Sequence, residues 1–140
     1  MRLHKLIFIL TIGGLFFLTG CAEDPDYEEQ YIEVEKWVGD DNIYKVDREI
    51  TSTKEVDKVR KAVDQADWTK AKASMARPAD YRFTFQPKDR RIITKAVLYE
   101  LRMISPNKDR VELVIDAESK YTQLNKKDSA VLIEILTGDE

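Results

Sequence analysis

Between Lys5 and Thr19 the chain holds an apolar run, Leu6 to Leu18 (LIFILTIGGLFFL), in which Thr11 is the only polar side chain. Thirteen helical residues rising about 1.5 Å each span ~20 Å, short of the ~30 Å hydrocarbon core of a bilayer. The run is therefore too short to read as a spanning anchor. Arg2 and Lys5 precede it with no acid between them, and the small residues Thr19 and Gly20 follow it. A charged start, a short apolar middle and a small-residue exit describe a secretory signal peptide. Residues 1–20 are set aside on this reading, and a fold must be built from residues 21–140.

The exit resembles the lipobox of bacterial lipoproteins: Leu18, Thr19 and Gly20 lead into Cys21, the one cysteine of the chain. That resemblance implies signal cleavage between Gly20 and Cys21 and a diacylglyceryl group on the Cys21 sulfur. It also implies palmitate-type acyl chains and an address on the extracytoplasmic face of the cell membrane. Two acyl chains hold a protein stably, because each buried methylene contributes ~0.8 kcal/mol and a single chain binds only marginally. The plainer alternative is an ordinary secretory signal followed by an incidental cysteine.

Loss of residues 1–20 removes Arg2 and Lys5 and no acid, which leaves 21 basic against 26 acidic side chains. Five of those acids (Glu23, Asp24, Asp26, Glu28, Glu29) fall within residues 22–30, which contain no Lys or Arg. The negative charge thus belongs to a tether, residues 21–30, and not to the body, residues 31–140, whose charges balance. Nine tether residues at ~3.3 Å each reach about 30 Å. Like charge repels such a segment from an anionic surface and extends it, and Pro25 argues against helix there. About 110 remaining residues suit one small domain with one core. A single thiol permits no intrachain disulfide, so packing must supply the stability. The balanced body has no basic stripe, which argues against nucleic acid as a partner.

Tyr31 to Val38 alternates, with Ile32, Val34 and Val38 one way and Glu33 and Glu35 the other, the period of a half-buried strand. Gly39-Asp40-Asp41-Asn42 supplies turn residues. Ile43 to Ile50 completes a hairpin, with Tyr44, Val46 and Ile50 expected on one face. Ser52-Thr53-Lys54-Glu55 fits a capping box, and Val56, Val59, Ala62, Val63 and Ala66 recur at helical spacing. Trp68 to Ala76 favours a short strand, since Ala71, Ala73 and Met75 alternate with Lys70, Lys72 and Ser74. Tyr81, Phe83 and Phe85 alternate with Arg82, Thr84 and Gln86, the clearest strand pattern present. After a turn at Pro87 to Arg91, Ile92 to Ile104 reads as a strand with Val97, Tyr99, Leu101 and Met103 on one face. Ser105 to Arg110 turns into a strand from Val111 to Ile115, and Tyr121 to Leu124 reads as a short edge. Asn125 caps a closing helix whose apolar face is Ala130, Val131, Leu132, Ile133, Ile135 and Leu136, and Gly138 ends it. Meandering strands need a cover for their apolar face. The expected fold is α+β, a mainly antiparallel sheet of about five to six strands with two helices packed on one face.

His4 is the only histidine and leaves with the signal peptide, so a mature chain offers no Ser-His or Cys-His pair and no imidazole metal ligand. An acylated Cys21 is no nucleophile. Ser105-Pro106-Asn107-Lys108 matches S-x-x-K, the nucleophile motif of penicillin-recognising enzymes, but Pro106 and Asn107 between two strand patterns read as a turn. Paired carboxylates for glycan hydrolysis remain conceivable, although no spacing selects two of the acids. Asp40-Asp41-Asn42 supplies too few oxygens for calcium. Lys88, Arg90 and Arg91 form a basic loop tip suited to lipid headgroups or an anionic wall polymer, and Asp89 among them favours a solvated hairpin end. Trp37, Trp68, Tyr44 and Tyr81 are candidates for an aromatic binding platform, with core packing the commoner fate.

From Ile50 to Leu136 the chain is similar to small firmicute lipoproteins described as YhfM-like. The residues concerned are Ser52 with Val56 and Val59, Met75, Pro78-Ala79-Asp80-Tyr81, Tyr99-Glu100-Leu101, and Tyr121 leading to Leu124. This resemblance implies a location and no activity. The expectation is a membrane-anchored surface lipoprotein, attached at Cys21, that acts as a non-enzymatic binding module for an envelope protein or wall polymer. No cofactor, no metal and no catalytic residue is expected. The alternatives are a carboxylate-dependent cell-wall glycan hydrolase and a small-ligand carrier for a transporter.

Overall fold

The computed structural model describes residues 29–71 and 77–139. Strand β1 (Gln30–Trp37) buries Ile32 and Val34, and β2 (Tyr44–Ile50) returns beside it in antiparallel register. The turn between them puts Gly39, Asp41 and Asn42 at positive φ, a region that glycine, Asn and Asp enter at least cost. Helix α1 (Thr53–Asp64) starts at Ser52, whose Oγ accepts the Glu55 amide at 3.4 Å. Val56, Val59, Ala62 and Val63 are its buried stripe.

Two residues of β3 (Thr69–Lys70) come next, then β4 (Tyr81–Pro87), β5 (Tyr99–Ile104) and β6 (Arg110–Ile115). A single 3-10 turn (Asp116–Glu118) leads into β7 (Lys120–Gln123). Helix α2 (Lys126–Leu132) is capped by Asn125, whose side chain accepts the Asp128 amide at 2.8 Å. It continues as a π-helical turn (Ile133–Thr137) that stops at Gly138, φ +74.

All seven strands form one antiparallel sheet in the order β2-β1-β4-β5-β6-β7-β3. The class is α+β. The sheet has seven strands against the expected five to six: the short strand expected at 68–76 is present as β3, which pairs Thr69 with Tyr121 and Lys70 with Lys120. Through that pairing Tyr121 to Gln123 lies inside the sheet and not at its edge. Both helices lie on one face: α1 contacts β1, α2 contacts β6, and the two helices touch. Beneath them runs a continuous apolar row, Ile32, Val34, Phe83, Phe85, Leu101, Val111 and Leu113, closed by Leu132 and Leu136.

The opposite face is partly covered. Its charges pair across strands: Arg82 with Glu100 at 3.1 Å and Arg102 with Glu112 at 3.2 Å. Tyr121 adds a hydroxyl donated to Glu112 Oε2 at 3.0 Å. Arg102 is buried there, its Nη2 donating to the carbonyl of Arg77 at 2.9 Å. The approach to β4 therefore lies against the face away from the helices. Asp80 fixes it, accepting the Met103 amide at 2.8 Å and an Arg77 guanidinium at 2.6 Å.

Several expectations need correction. Tyr44 and Val46 do not share a face with Ile50, because a bulge opposite Val34 and Glu35 of β1 leaves Asp47 unpaired and reverses the alternation. Val46 opposes Glu35 and is 59% exposed. Val38 lies beyond β1 and is exposed. Ile92 to Leu98 is not strand: β5 begins only at Tyr99, so Val97 is left out of the face that Tyr99, Leu101 and Met103 form. Ala130 is exposed, off the buried side of α2. Of the expected strand at 68–76, Ala71 falls outside β3, while Lys72 to Ala76 lie outside the described residues.

The Arg102–Glu112 pair is nearly dry, so removal of one partner strands a buried charge, at a cost of about 3 kcal/mol or more. Chemical denaturation of Arg102→Met should show that loss. The double variant Arg102→Met/Glu112→Leu should recover most of it, and equal losses in both would deny that the charges are coupled.

Candidate functional site

Leu18, Thr19, Gly20 and Cys21 lie outside the described residues, as does most of the tether. Among the described residues no helix is long and apolar enough to cross a membrane. The described chain begins at Glu29, where the Glu29 carbonyl accepts the Lys88 amide at 2.8 Å and its carboxylate sits 3.4 Å from Lys88 Nζ.

The four aromatic residues considered as a platform do not come together on one surface. Tyr81 is buried on the helix side. Trp37 and Tyr44 are cross-strand partners on the other face, where the Arg82 guanidinium lies 3.7 Å from the centre of the Tyr44 ring. The Tyr44 hydroxyl is spent on the Ala79 carbonyl at 2.9 Å. Trp68 stands elsewhere, at the end of α1. It is joined by Tyr99, an aromatic that the alternation had marked only as part of a strand face.

Trp68 and Tyr99 wall a cleft of about 400 Å³, completed by Val63, Asp64, Val97, Ile115, Glu118 and Lys120. The chain leaves α1 through a tight bend and aims the indole, whose Nε1 donates to the Val63 carbonyl at 2.9 Å. Tyr99 is held from behind by Phe83, stacked at 5.0 Å and 11°, and by the edge contact of Phe85 at 5.9 Å. Trp68 tilts 50° against it with ring centres 6.3 Å apart. Two rings fixed by packing thus reach the surface at the open end of the core. Around them the rim is polar: Glu118 pairs with Lys120 at 3.0 Å, and Asp64 stands at the last turn of α1. Burial pushes the Tyr99 phenol above its ordinary range and the Asp64 charge adds to this, while Arg60 opposes it. Aromatic faces of this kind accept the apolar face of a flat or ring-shaped ligand, and the flanking carboxylates accept hydrogen bonds from its hydroxyls.

A second hollow of about 680 Å³ lies between the β5–β6 turn and α2, lined by Lys108, Asp109, Lys126, Ile133 and Glu134 among others. Two of its charges are already engaged with each other, Lys126 lying 3.6 Å from Asp109. The Ser105 hydroxyl holds the Asp109 carboxyl below the usual carboxylate range, with Lys126 assisting. Ser105 to Lys108 is a turn with φ +81 at Ser105 and +54 at Lys108, closed by the Lys108 amide on the Ser105 carbonyl at 3.2 Å. The S-x-x-K match therefore lacks the helical turn that would set a lysine over the serine. Asp40, Asp41 and Asn42 are an exposed turn, and among the described residues no group of three or more His, Cys, Asp or Glu is placed to hold a metal.

No protein-family description matches the chain, and neither curated proteins nor solved structures give a match.

The raised phenols give a pH signature. A group whose folded pKa exceeds its unfolded value of about 10 contributes stability fully below that pH and loses it as pH rises through the folded value. Tyr44, Tyr99 and Tyr121 are all shifted upward, each first by burial. Tyrosinate absorbance should therefore develop at higher pH in the folded chain than in denaturant, and Tyr99→Phe should remove part of the lag. Coincident titrations would contradict the placement of these rings.

Proposed function

We propose that the protein is a lipid-anchored module on the outer face of the cytoplasmic membrane that binds a saccharide of the cell envelope and does no chemistry on it. The observation that carries the location is Leu18-Thr19-Gly20-Cys21, with the single cysteine of the chain placed directly after a thirteen-residue apolar run and two small residues. The similarity to YhfM-like lipoproteins points to the same address. Binding is supported by the cleft of Trp68 and Tyr99, whose volume suits one or two sugar rings. In this arrangement Trp68 and Tyr99 take the ring faces, while Asp64, Glu118 and Lys120 meet hydroxyls.

Asp64 and Glu118 also keep a hydrolase in view, since two carboxylates border one cleft. Glu118 is paired with Lys120 and open to water, however, which suits a hydrogen-bond acceptor better than a shielded acid.

Cys21→Ser should abolish the diacylglyceryl mass on the protein and leave the signal segment uncut. Intact mass of the wild-type protein from its own membranes, showing a free thiol or a retained Met1, would refute the anchor. Wall glycan fragments titrated into the anchored protein should perturb Trp68 emission. Asp64→Asn with Glu118→Gln should weaken binding about tenfold, the loss of roughly one charged hydrogen bond. New reducing ends that vanish in Asp64→Asn would establish the hydrolase instead.

A further inference from the structure

Ile92 to Leu98 has the composition of a strand and is not one. β4 runs to Pro87, but its pairing with β5 covers only Tyr81, Arg82 and Phe83, so the chain leaves the sheet between Lys88 and Leu98 as a loop. Ile93 at its tip is 98% exposed, and Ile92, Val97 and Leu98 are each about two-fifths exposed (40%, 38% and 41%). Lone exposed aliphatics are ordinary, but four within one seven-residue stretch are an unusual concentration of exposed apolar surface. The same loop carries Lys88, Arg90, Arg91 and Lys95 against one acid, Asp89. Arg91 is engaged with Asp89 at 2.9 Å and Lys88 with Glu29 at 3.4 Å, whereas Arg90 and Lys95 are exposed to solvent.

Its position gives the patch an orientation. The Lys88 amide is hydrogen-bonded to the Glu29 carbonyl, so the loop sits where the segment from Cys21 enters the domain. Eight residues, Cys21 to Glu28, separate that point from the acylated sulfur, at most about 26 Å at ~3.3 Å per residue. An exposed apolar stretch interleaved in sequence with cations, held within that distance of a bilayer, has the make-up of an interfacial anchor: aliphatic side chains enter the acyl boundary while Lys and Arg reach to headgroups. A wall polymer would meet the cations and offer nothing to Ile93. We propose that the loop Lys88–Leu98 is a second membrane contact that docks on the anionic leaflet holding Cys21, with Ile93 inserted and Arg90 and Lys95 on lipid phosphates. This rests on the lipid-anchor reading. It turns a tethered domain into an oriented one. The tether acids repel the same surface, so the aliphatic tip is the part on which docking turns.

Depth at residue 93 tests this directly. Ile93→Trp is introduced into the full chain, which is taken lipidated from its host and placed in phosphatidylglycerol-containing vesicles with lipids brominated near the top of the acyl chains. Near-complete exposure of Ile93 makes the change neutral for folding, and the parent chain supplies the background from Trp37 and Trp68. Added emission that is blue-shifted and quenched is the expected result. The docking equilibrium constant should fall about fivefold for each of Arg90→Gln and Lys95→Gln, and it should fall in pure phosphatidylcholine. Emission at position 93 that stays water-like and unquenched, in protein whose mass confirms the acylated Cys21, overturns the inference and leaves the anchor standing. Retention on purified wall polymer without quenching overturns it equally. A free Cys21 thiol overturns the anchor reading, and quenching of the indole at position 93 in that same material would show that the loop docks without it.

Discussion

The structure depends on a strand that arrives late and pairs twice. β4 follows the hairpin, α1 and β3 in sequence, yet it lies between β1 and β5, with Val34 opposite Phe83 on one side and Tyr99 opposite it on the other. Phe83 is 1% exposed and stacks on Tyr99, so the middle of the sheet and the middle of the core coincide. Until β4 is in place β1 and β5 have no common partner, and the helical cover has no single surface to close on. The contacts that matter most are therefore long in sequence, which slows folding relative to a simple meander. They also bring Arg77 to Asp80, the approach to β4, onto the side away from the helices, where Arg102 donates to the Arg77 carbonyl and Asp80 accepts the Met103 amide.

Much of this was legible because periodicity reports burial wherever a strand is regular. Tyr81, Phe83 and Phe85, the stripe of α1, and the caps at Ser52 and Asn125 lie where local pattern and hydrogen-bond chemistry put them. Alternation fails where the ladder does. One extra residue at Asp47 turned Tyr44 and Val46 to the other face, and no composition rule marks a bulge whose only signature is a register shift in its partner. The run at Ile92 to Leu98 misled for a different reason. β-Branched residues favour strands only where a ladder forms, and the ladder between β4 and β5 stops at Phe83 opposite Tyr99, so Thr84 to Pro87 pair with β1 alone and Ile92 to Leu98 stay outside the sheet. Arg102 is the converse case, a charge inside a strand that reads as surface and is buried because a distant segment lies over it.

Site chemistry divides along the same line. Cys21 can be proposed as a covalent address from the sequence alone, because the residues that carry the lipobox resemblance, Leu18 to Gly20, are its immediate neighbours. The cleft of Trp68 and Tyr99 is not, since it draws on the end of α1, the start of β5, the end of β6 and the 3-10 turn before β7. Trp68 just past a helix end, and an aromatic at the first residue of a strand, are the signals that were present. Only the sheet order says that they meet.

That order also decides which way the cleft faces. Gln30 opposes Pro87, β5 starts at Tyr99 just after the Lys88–Leu98 loop, and Ile115 opposes Lys120. The entry of the chain, the apolar loop and the cleft therefore share one end of the sheet, and Val97 belongs to both loop and cleft. A ligand seated between Trp68 and Tyr99 would lie at the end of the sheet that carries the proposed docking loop and the tether root, and not at the far pole of the domain. Saccharides displayed close to the bilayer fit that geometry better than strands of the distal wall, which would have to thread between the domain and its own membrane.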